Sequence, residues 1–114
     1  MPNNISKIVN DFINTVKDIL GEHLKQIILY GSYARGDYKK NSDIDIMILT
    51  DLNNDEIIEY RNQIWECAYD IEFEKNVIIS PLVKNIEYFN SWSEVKPFYI
   101  NILKEGVVLD GKKD

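Results

Sequence analysis

Seven consecutive residues, Asp43-Ile44-Asp45-Ile46-Met47-Ile48-Leu49, constrain this chain more than any other stretch. The run is apolar and rich in isoleucine, and it reads as a strand from Asp43 to Thr50. Side chains on a strand alternate between faces, so Asp43 and Asp45 point one way while Ile44, Ile46 and Ile48 point into a core. The fold must therefore bury one side of this strand and hold two carboxylates side by side on the other. Such a pair repels unless a cation lies between the charges. Oxygen ligands of this kind suit Mg²⁺, which takes one or two carboxylates and completes its octahedron with water and substrate phosphates. An Asp-x-Asp at a strand start is also a common turn or solvent feature, and the pair needs company before it means chemistry.

The company stands upstream. Gln26-Ile27-Ile28-Leu29-Tyr30 is short, apolar and β-branched, and it ends at Gly31, which predicts a buried strand followed by a turn. Ser32-Tyr33-Ala34-Arg35-Gly36 then opens as a helical turn. Free N–H groups at such a start can hold phosphate oxygens, with Gly31 allowing close approach and Ser32 adding a donor. Taken alone, Gly31 is a turn glycine and Ser32 an ordinary N-cap. With an Asp-x-Asp strand ten residues further on, the pair reads as a mount for phosphate and metal.

Around this centre the remaining elements follow from periodicity. Ile5, Ile8, Val9, Phe12, Ile13, Val16, Ile19 and Leu20 have the spacing of a one-sided helix, and Gly21 is its stop. Asn53 and Asn54 precede Asp55-Glu56, a helix start with acids at the positive end of the dipole. Ile57, Ile58, Arg61, Ile64, Trp65, Ala68 and Ile71 mark one face of that helix, which runs to about Glu74. Asn76 to Val83 reads as a third strand, with Pro81 suited to an edge. Helical pieces are expected over 86–92 and 97–105, with Pro97 in a first turn and Gly106 as the stop. Val107-Val108-Leu109 adds a last short strand, and the tail from Gly111 to Asp114 is expected to fray. Strands alternating with helices make an α/β (α+β) domain, a small mixed β-sheet with helices packed on it, occupying 1–114 as a single unit.

The stretch from Gly31 to Leu49 resembles the signature of the minimal nucleotidyltransferases, members of the DNA polymerase β superfamily. That pattern is Gly-Ser, ten residues, then Asp-x-Asp, with Ala-Arg-Gly after the serine and Ser before the first Asp, and every element is present here. The likeness extends to the leading helix, the helix after the Asp-x-Asp strand, the third strand, and the ending Pro97-Phe98-Tyr99…Lys104-Glu105-Gly106. It implies a nucleotidyltransferase (polymerase β-like) fold. It also implies that Asp43 and Asp45 coordinate two Mg²⁺ ions on a nucleoside triphosphate, with ATP as nucleotide donor. Gly31 and Ser32 would hold the β/γ-phosphates, and Ser42 would join the nucleotide contacts. An acceptor hydroxyl would attack the α-phosphate and pyrophosphate would leave. Arg35 either contacts phosphate or pairs with a carboxylate such as Asp37. Relatives usually place a third carboxylate on the next strand. The best match here is Asn76, whose amide can ligate a metal but cannot accept a proton; Glu74, two residues earlier, and Glu72, two earlier again, are the substitutes.

Charge and length narrow the acceptor. The net charge is −6, and phosphate backbones are bound through clustered Lys and Arg, so a nucleic-acid substrate is disfavoured. With 114 residues there is no room for a drug-binding domain. No apolar run approaches the ~20 residues of a membrane span, and one cysteine, Cys67, excludes an internal disulfide, as suits the cytoplasm. The resemblance then points to a protein acceptor, because small members typically stand beside a HEPN-domain toxin. They act as its antitoxin, some by adenylylating a tyrosine. The competing reading is a catalytically weak or inactive module of the same fold that neutralises a partner by contact. Seven carboxylates lie between Asp55 and Glu74 against one base, Arg61. They are a solvated helix face, a surface for a basic partner, or a carboxylate lent to a metal. His23 is expected at the surface, Cys67 and Trp65 in the core, and Trp92 in the core or at a partner surface. Oligomeric state and base preference have no signature.

Overall fold

The computed structural model describes residues 1–111. The elements in chain order are α1 (Asn3–Leu20), β1 (Leu24–Tyr30), α2 (Ser32–Arg35), β2 (Ile44–Thr50), α3 (Asn54–Lys75), β3 (Ile79–Asn85), α4 (Ile86–Trp92), α5 (Pro97–Glu105) and β4 (Val107–Gly111). The four strands form one mixed sheet in the order β3-β2-β1-β4. β1 runs antiparallel to β2 and to β4, and β2 runs parallel to β3. The parallel pair requires a long crossover, which α3 supplies. β3 is an edge strand, so Pro81 costs no ladder hydrogen bond on the open side.

Alternation along the strands divides the core in two. Ile27, Leu29, Ile44, Ile46, Ile48, Ile79 and Val83 pack against Ile5, Val9, Phe12, Ile13, Val16 and Leu20 of α1 and against Ile57, Ile64 and Ala68 of α3. On the opposite face Ile28, Met47 and Leu49 pack against Phe89, Tyr99 and Ile102 of α4 and α5. Both sides of β2 are therefore dry over most of its length, and its seven residues include five with no more than 4 % exposure after Asp45. Asp43 and Asp45 sit where β2 begins, and α5 approaches that end through Phe98, whose ring meets the ring of Tyr30, the cross-strand partner of Asp45, edge-on.

The helix ends follow ordinary capping rules. Asn53 and Glu56 form a reciprocal capping box at the start of α3: the Glu56 N–H donates to Asn53 Oδ1 at 2.9 Å and the Asn53 N–H donates to Glu56 Oε1 at 3.1 Å. Gly106 ends α5 as expected, though for reasons of space. Its φ is −70°, and an added Cβ would run into Ile102 O and the Ile28 side chain.

Three expectations change. β3 starts at Ile79 instead of Asn76, because α3 continues through Lys75. Trp65, expected in the core, is half-buried and turned away from it, and Ile58 and Arg61 are exposed; only Ile57, Ile64 and Ala68 of that apolar set are fully buried. Cys67 packs against the core half-buried. His23 is at the surface as expected, its Nδ1 2.8 Å from Asp51 Oδ1. Of the expected tail, Gly111 ends β4, and residues 112–114 lie outside the described residues. No described helix is long and apolar enough to cross a membrane.

α4 and α5 are joined by a cation held among rings. Lys96 Nζ lies 4.9 Å from the ring centres of Tyr88 and Trp92, 5.8 Å from that of Tyr99, and donates to Tyr88 Oη at 2.6 Å. Exposed cation–π contacts contribute ~0.5–1 kcal/mol. Lys96→Met keeps the stem and removes the charge, so it is expected to cost about 1 kcal/mol. Thermal unfolding should show a midpoint roughly 4 °C lower, the shift such a loss produces in a domain of this size.

Candidate nucleotidyl-transfer site

The site forms where β1 ends, α2 begins and β2 starts. Tyr30 and Asp45 are cross-strand partners, so the carboxylate of Asp45 stands beside the last residue of β1. The chain then turns through Gly31 at φ 75°, ψ −155°, a conformation open to glycine and strained for any other residue. Space makes the same demand: a Cβ on Gly31 would collide with the Asp45 carboxylate. The glycine therefore lets a carboxylate lie directly on the backbone at the start of α2. Gly31 O accepts from Ala34 N at 3.1 Å and Arg35 N at 3.0 Å, which closes the turn and sets Ser32 as the first helical residue. The first N–H groups of a helix have no intrahelical partner, so those of Ser32 and Tyr33 remain for a ligand. Tyr33 and Tyr38 stack with centroids 4.4 Å apart and planes 7° from parallel, bracing the loop between α2 and β2.

Asp43 and Asp45 share one face and feel each other. Burial, and next the charge of Asp43, push the Asp45 carboxyl above its ordinary range, with Arg35 pulling in the opposite direction. Tyr30 is pushed up to about 12 by burial and by Asp45. Negative charge is thus concentrated here without full compensation from the protein. A hydroxyl joins the carboxylates: Ser80 Oγ donates to Asp43 Oδ2 at 3.4 Å, and β3 pairs Ser80 with Asp45 in register. Among the described residues no group of three or more His, Cys, Asp or Glu side chains is placed to hold a metal. Two carboxylates and a hydroxyl are an all-oxygen donor set that fits a hard cation which retains water, such as Mg²⁺.

Asn76, Glu74 and Glu72, the expected third position and its substitutes, all belong to the C-terminus of α3. Asn76 is the cap, with φ 56° and ψ 38°, and its N–H donates to Glu72 O at 2.9 Å. Asparagine is one of the few side chains that tolerates this left-handed geometry, which accounts for its identity. The strand position facing the carboxylates is Ser80, four residues later. The missed signal was the capping asparagine itself: read as a helix stop, it moves the strand start past residue 78 and places Ser80 on the acidic face.

The remaining expected residues lie at the rim. Arg35 pairs through Nε with Asp37 Oδ2 at 3.3 Å and through Nη1 with Glu105 Oε2 at 3.1 Å. These two bonds raise its pKa. The carboxylate alternative for Arg35 thus holds in this state, and Glu105 is a second partner that sequence spacing did not indicate. The Arg35–Glu105 pair borders a cleft of about 260 Å³ that begins at Gly31 and is also lined by Tyr30, Phe98 and Asn101. Ser42 Oγ accepts from Lys39 N at 2.8 Å and pins the turn before Asp43. Ser42 also shares a shallow pocket with Tyr33, Lys40, Asn41 and Asn76.

A glycine-backed carboxylate pair beside a helix start, on a four-stranded mixed sheet with helices on both faces, defines a nucleotidyltransferase. The chain belongs to the nucleotidyltransferase domain family, whose pattern matches residues 9–109. Two Methanocaldococcus jannaschii proteins that bear the name "Putative protein adenylyltransferase" are similar to it. One is 38% identical over 109 residues, covering 93% of this chain and 98% of its own. The other is 33% identical over 79 residues, covering 69% and 78%. Among solved structures, a toxin–antitoxin crystallised with AMP-PNP superposes with a TM-score of 0.61 at 26% identity, over 91% of this chain and 73% of that one. A mutant of the toxin–antitoxin MntA-HpeT, at TM-score 0.57 and 22% identity over the same shares, has the same fold.

Proposed function

We propose that this protein is a Mg²⁺-dependent nucleotidyltransferase of the cytoplasm that moves AMP from ATP onto a tyrosine hydroxyl of a HEPN-type toxin, and so acts as its antitoxin. The observation that carries the reading is the Asp45 carboxylate seated on Gly31 beside Asp43, at the start of α2. The names of the relatives and the nucleotide analogue crystallised with a neighbouring toxin–antitoxin support the donor and the type of partner.

Asp43 and Asp45, with the hydroxyl of Ser80, would hold the metal. Mg²⁺ bound there supplies charge stabilisation for the attacking and departing oxygens of an in-line displacement. The backbone at Gly31 and Ser32 receives phosphate oxygens of the donor, and Ser32 Oγ adds a donor hydrogen bond. Arg35 can exchange Glu105 or Asp37 for phosphate, since all three are at the surface. The acceptor phenol loses its proton to solvent, its oxygen attacks the α-phosphorus, the bond to the bridging oxygen breaks, and pyrophosphate leaves. Serine at position 80 brings no carboxylate to take the acceptor's proton. A phenol, with an ordinary pKa near 10, ionises far more readily than an aliphatic alcohol, so tyrosine is the acceptor this site can use.

The test is incubation with ATP labelled at the α-phosphate, Mg²⁺ and the toxin encoded beside the gene. Label on a toxin tyrosine is expected; no label, with neutralisation retained by Asp43→Asn/Asp45→Asn, leaves a contact-only antitoxin. That second reading draws on one specific observation: beside Asp43 and Asp45 stands the hydroxyl of Ser80, and among the described residues no third carboxylate joins them. It makes a prediction of its own: Ser80→Asp should raise Mg²⁺ affinity by about tenfold, a gain of roughly 1.4 kcal/mol. Titration calorimetry of the purified variant checks it, and label transfer should rise in parallel if catalysis is limited by the donor set.

A further inference from the structure

α3 is apolar on two faces. Its inner face puts Ile57, Ile64 and Ala68 into the core. Its outer face carries Ile58, Trp65, Tyr69 and Phe73, which fall within an arc of about 80° at 100° per residue. Ile58 is 51%, Tyr69 60% and Phe73 92% exposed, and Trp65 is half-buried. Trp65 and Tyr69 lie with ring centroids 5.7 Å apart and, with Asn62 and Glu66, line a shallow hollow. A helix face that only needed solvation would not expose this much ring surface, and contiguous apolar surface rimmed by polar groups marks an interaction site.

Charge selects the occupant. Along one border of the stripe stand Asp55, Glu59, Glu66 and Asp70, and no carboxylate of α3 takes part in an ion pair among the described residues. A second copy of this chain would set one acid border against another on a protein of net charge −6. Phosphate backbones and anionic lipid would be repelled in the same way. α3 leads back to the start of β3, so Phe73 lies at the end of the molecule where Asp43 and Ser80 stand.

We infer that the outer face of α3 is a docking surface for a protein helix whose apolar side chains are flanked by Lys and Arg. The apolar side chains lie along Ile58, Trp65, Tyr69 and Phe73, and the basic ones reach the Glu59–Asp70 border. The surface is separate from the nucleotide site, and the inference stands whether or not that site turns over.

The probe is an 18-residue synthetic helix with leucines on one face and Lys and Arg beside them. Its controls are a scrambled peptide of equal composition and a version with Glu in place of the bases. Binding to the full chain is read by calorimetry and by amide shifts in NMR. The patterned basic peptide is expected to shift α3 amides and to bind at least tenfold more tightly than either control. Tyr69→Ala/Phe73→Ala should weaken it at least tenfold. Glu66→Gln/Asp70→Asn should weaken it and flatten its salt dependence. Both variants change exposed positions and should keep the wild-type melting profile and Mg²⁺–ATP affinity, so a failure of the nucleotide site is seen separately. Equal binding of the scrambled peptide, indifference to the aromatic variant, or self-association abolished by Phe73→Ala would each overturn the inference.

Discussion

Asp43→Asn/Asp45→Asn is expected to lose nucleotidyl transfer by about 10³-fold or more while making the metal-free protein more stable. The two effects have one cause. Metal-borne charge stabilisation is worth several kcal/mol, and each 1.36 kcal/mol is a factor of ten, so ~4 kcal/mol gives the expected loss. Without a cation the same carboxylates repel, and burial adds to the cost at Asp45. Because Asp45 is only half-buried, the gain from neutralising it is discounted to roughly 0.5 kcal/mol. The sign of its pH dependence follows from the raised pKa. Between the unfolded and the folded value the native state binds more protons, so wild-type stability falls as pH rises through that window. The advantage of the variant is therefore full at neutral pH and disappears in acid, where Asp45 of the wild type is itself protonated. Thermal melts in EDTA at pH 7 and pH 3.5 check the stability arm, and label transfer with Mg²⁺ checks the catalytic arm. A variant that lost activity and stability together at pH 7 would mean the carboxylates support the fold instead of straining it.

The parts of the site legible in the sequence are those carried by strand alternation and by local spacing. Asp43 and Asp45 needed only a period of two, and Gly31 and Ser32 needed only a strand end followed by a helix start. The misread part was the place of Asn76 in the fold, expected on the third strand, because that depends on where a helix stops. Asn76 looks like a strand residue when Val77-Ile78-Ile79 is read for hydrophobicity, yet its backbone is left-handed and it ends α3. The register then brings Ser80 to Asp45, a relation between strands that a linear reading cannot supply. Glu105 is of the same kind. Its partner Arg35 is 70 residues away, and only the return of the chain through α5 brings the two together. Trp65 failed for a different reason. α3 is apolar on both faces, so periodicity alone could not say which residues face inward.

Gly31→Ala is expected to cost both stability and nucleotidyl transfer, although it removes no functional group. Two costs add at one position. A φ of 75° with ψ −155° lies where essentially only glycine goes, and it costs a side-chain-bearing residue ~1–2 kcal/mol. The new Cβ must also displace the Asp45 carboxylate, which lies against Gly31. Because Asp45 is followed by the fully buried Ile46 and Met47, the strand cannot retreat, and the displacement falls on the carboxylate itself. A total of roughly 2–3 kcal/mol in stability is expected, with transfer reduced at least ~100-fold, since misplacing a catalytic group by about 1 Å has that effect. The two costs are separable by a double-mutant cycle. Asp45→Ala removes the atoms with which the Cβ collides and leaves the backbone strain, so Gly31→Ala should cost about 1 kcal/mol less in that background than in the wild type. Additive losses in urea denaturation would show that the carboxylate does not press on Gly31, and with that the geometry on which the metal and phosphate mount depends would fall.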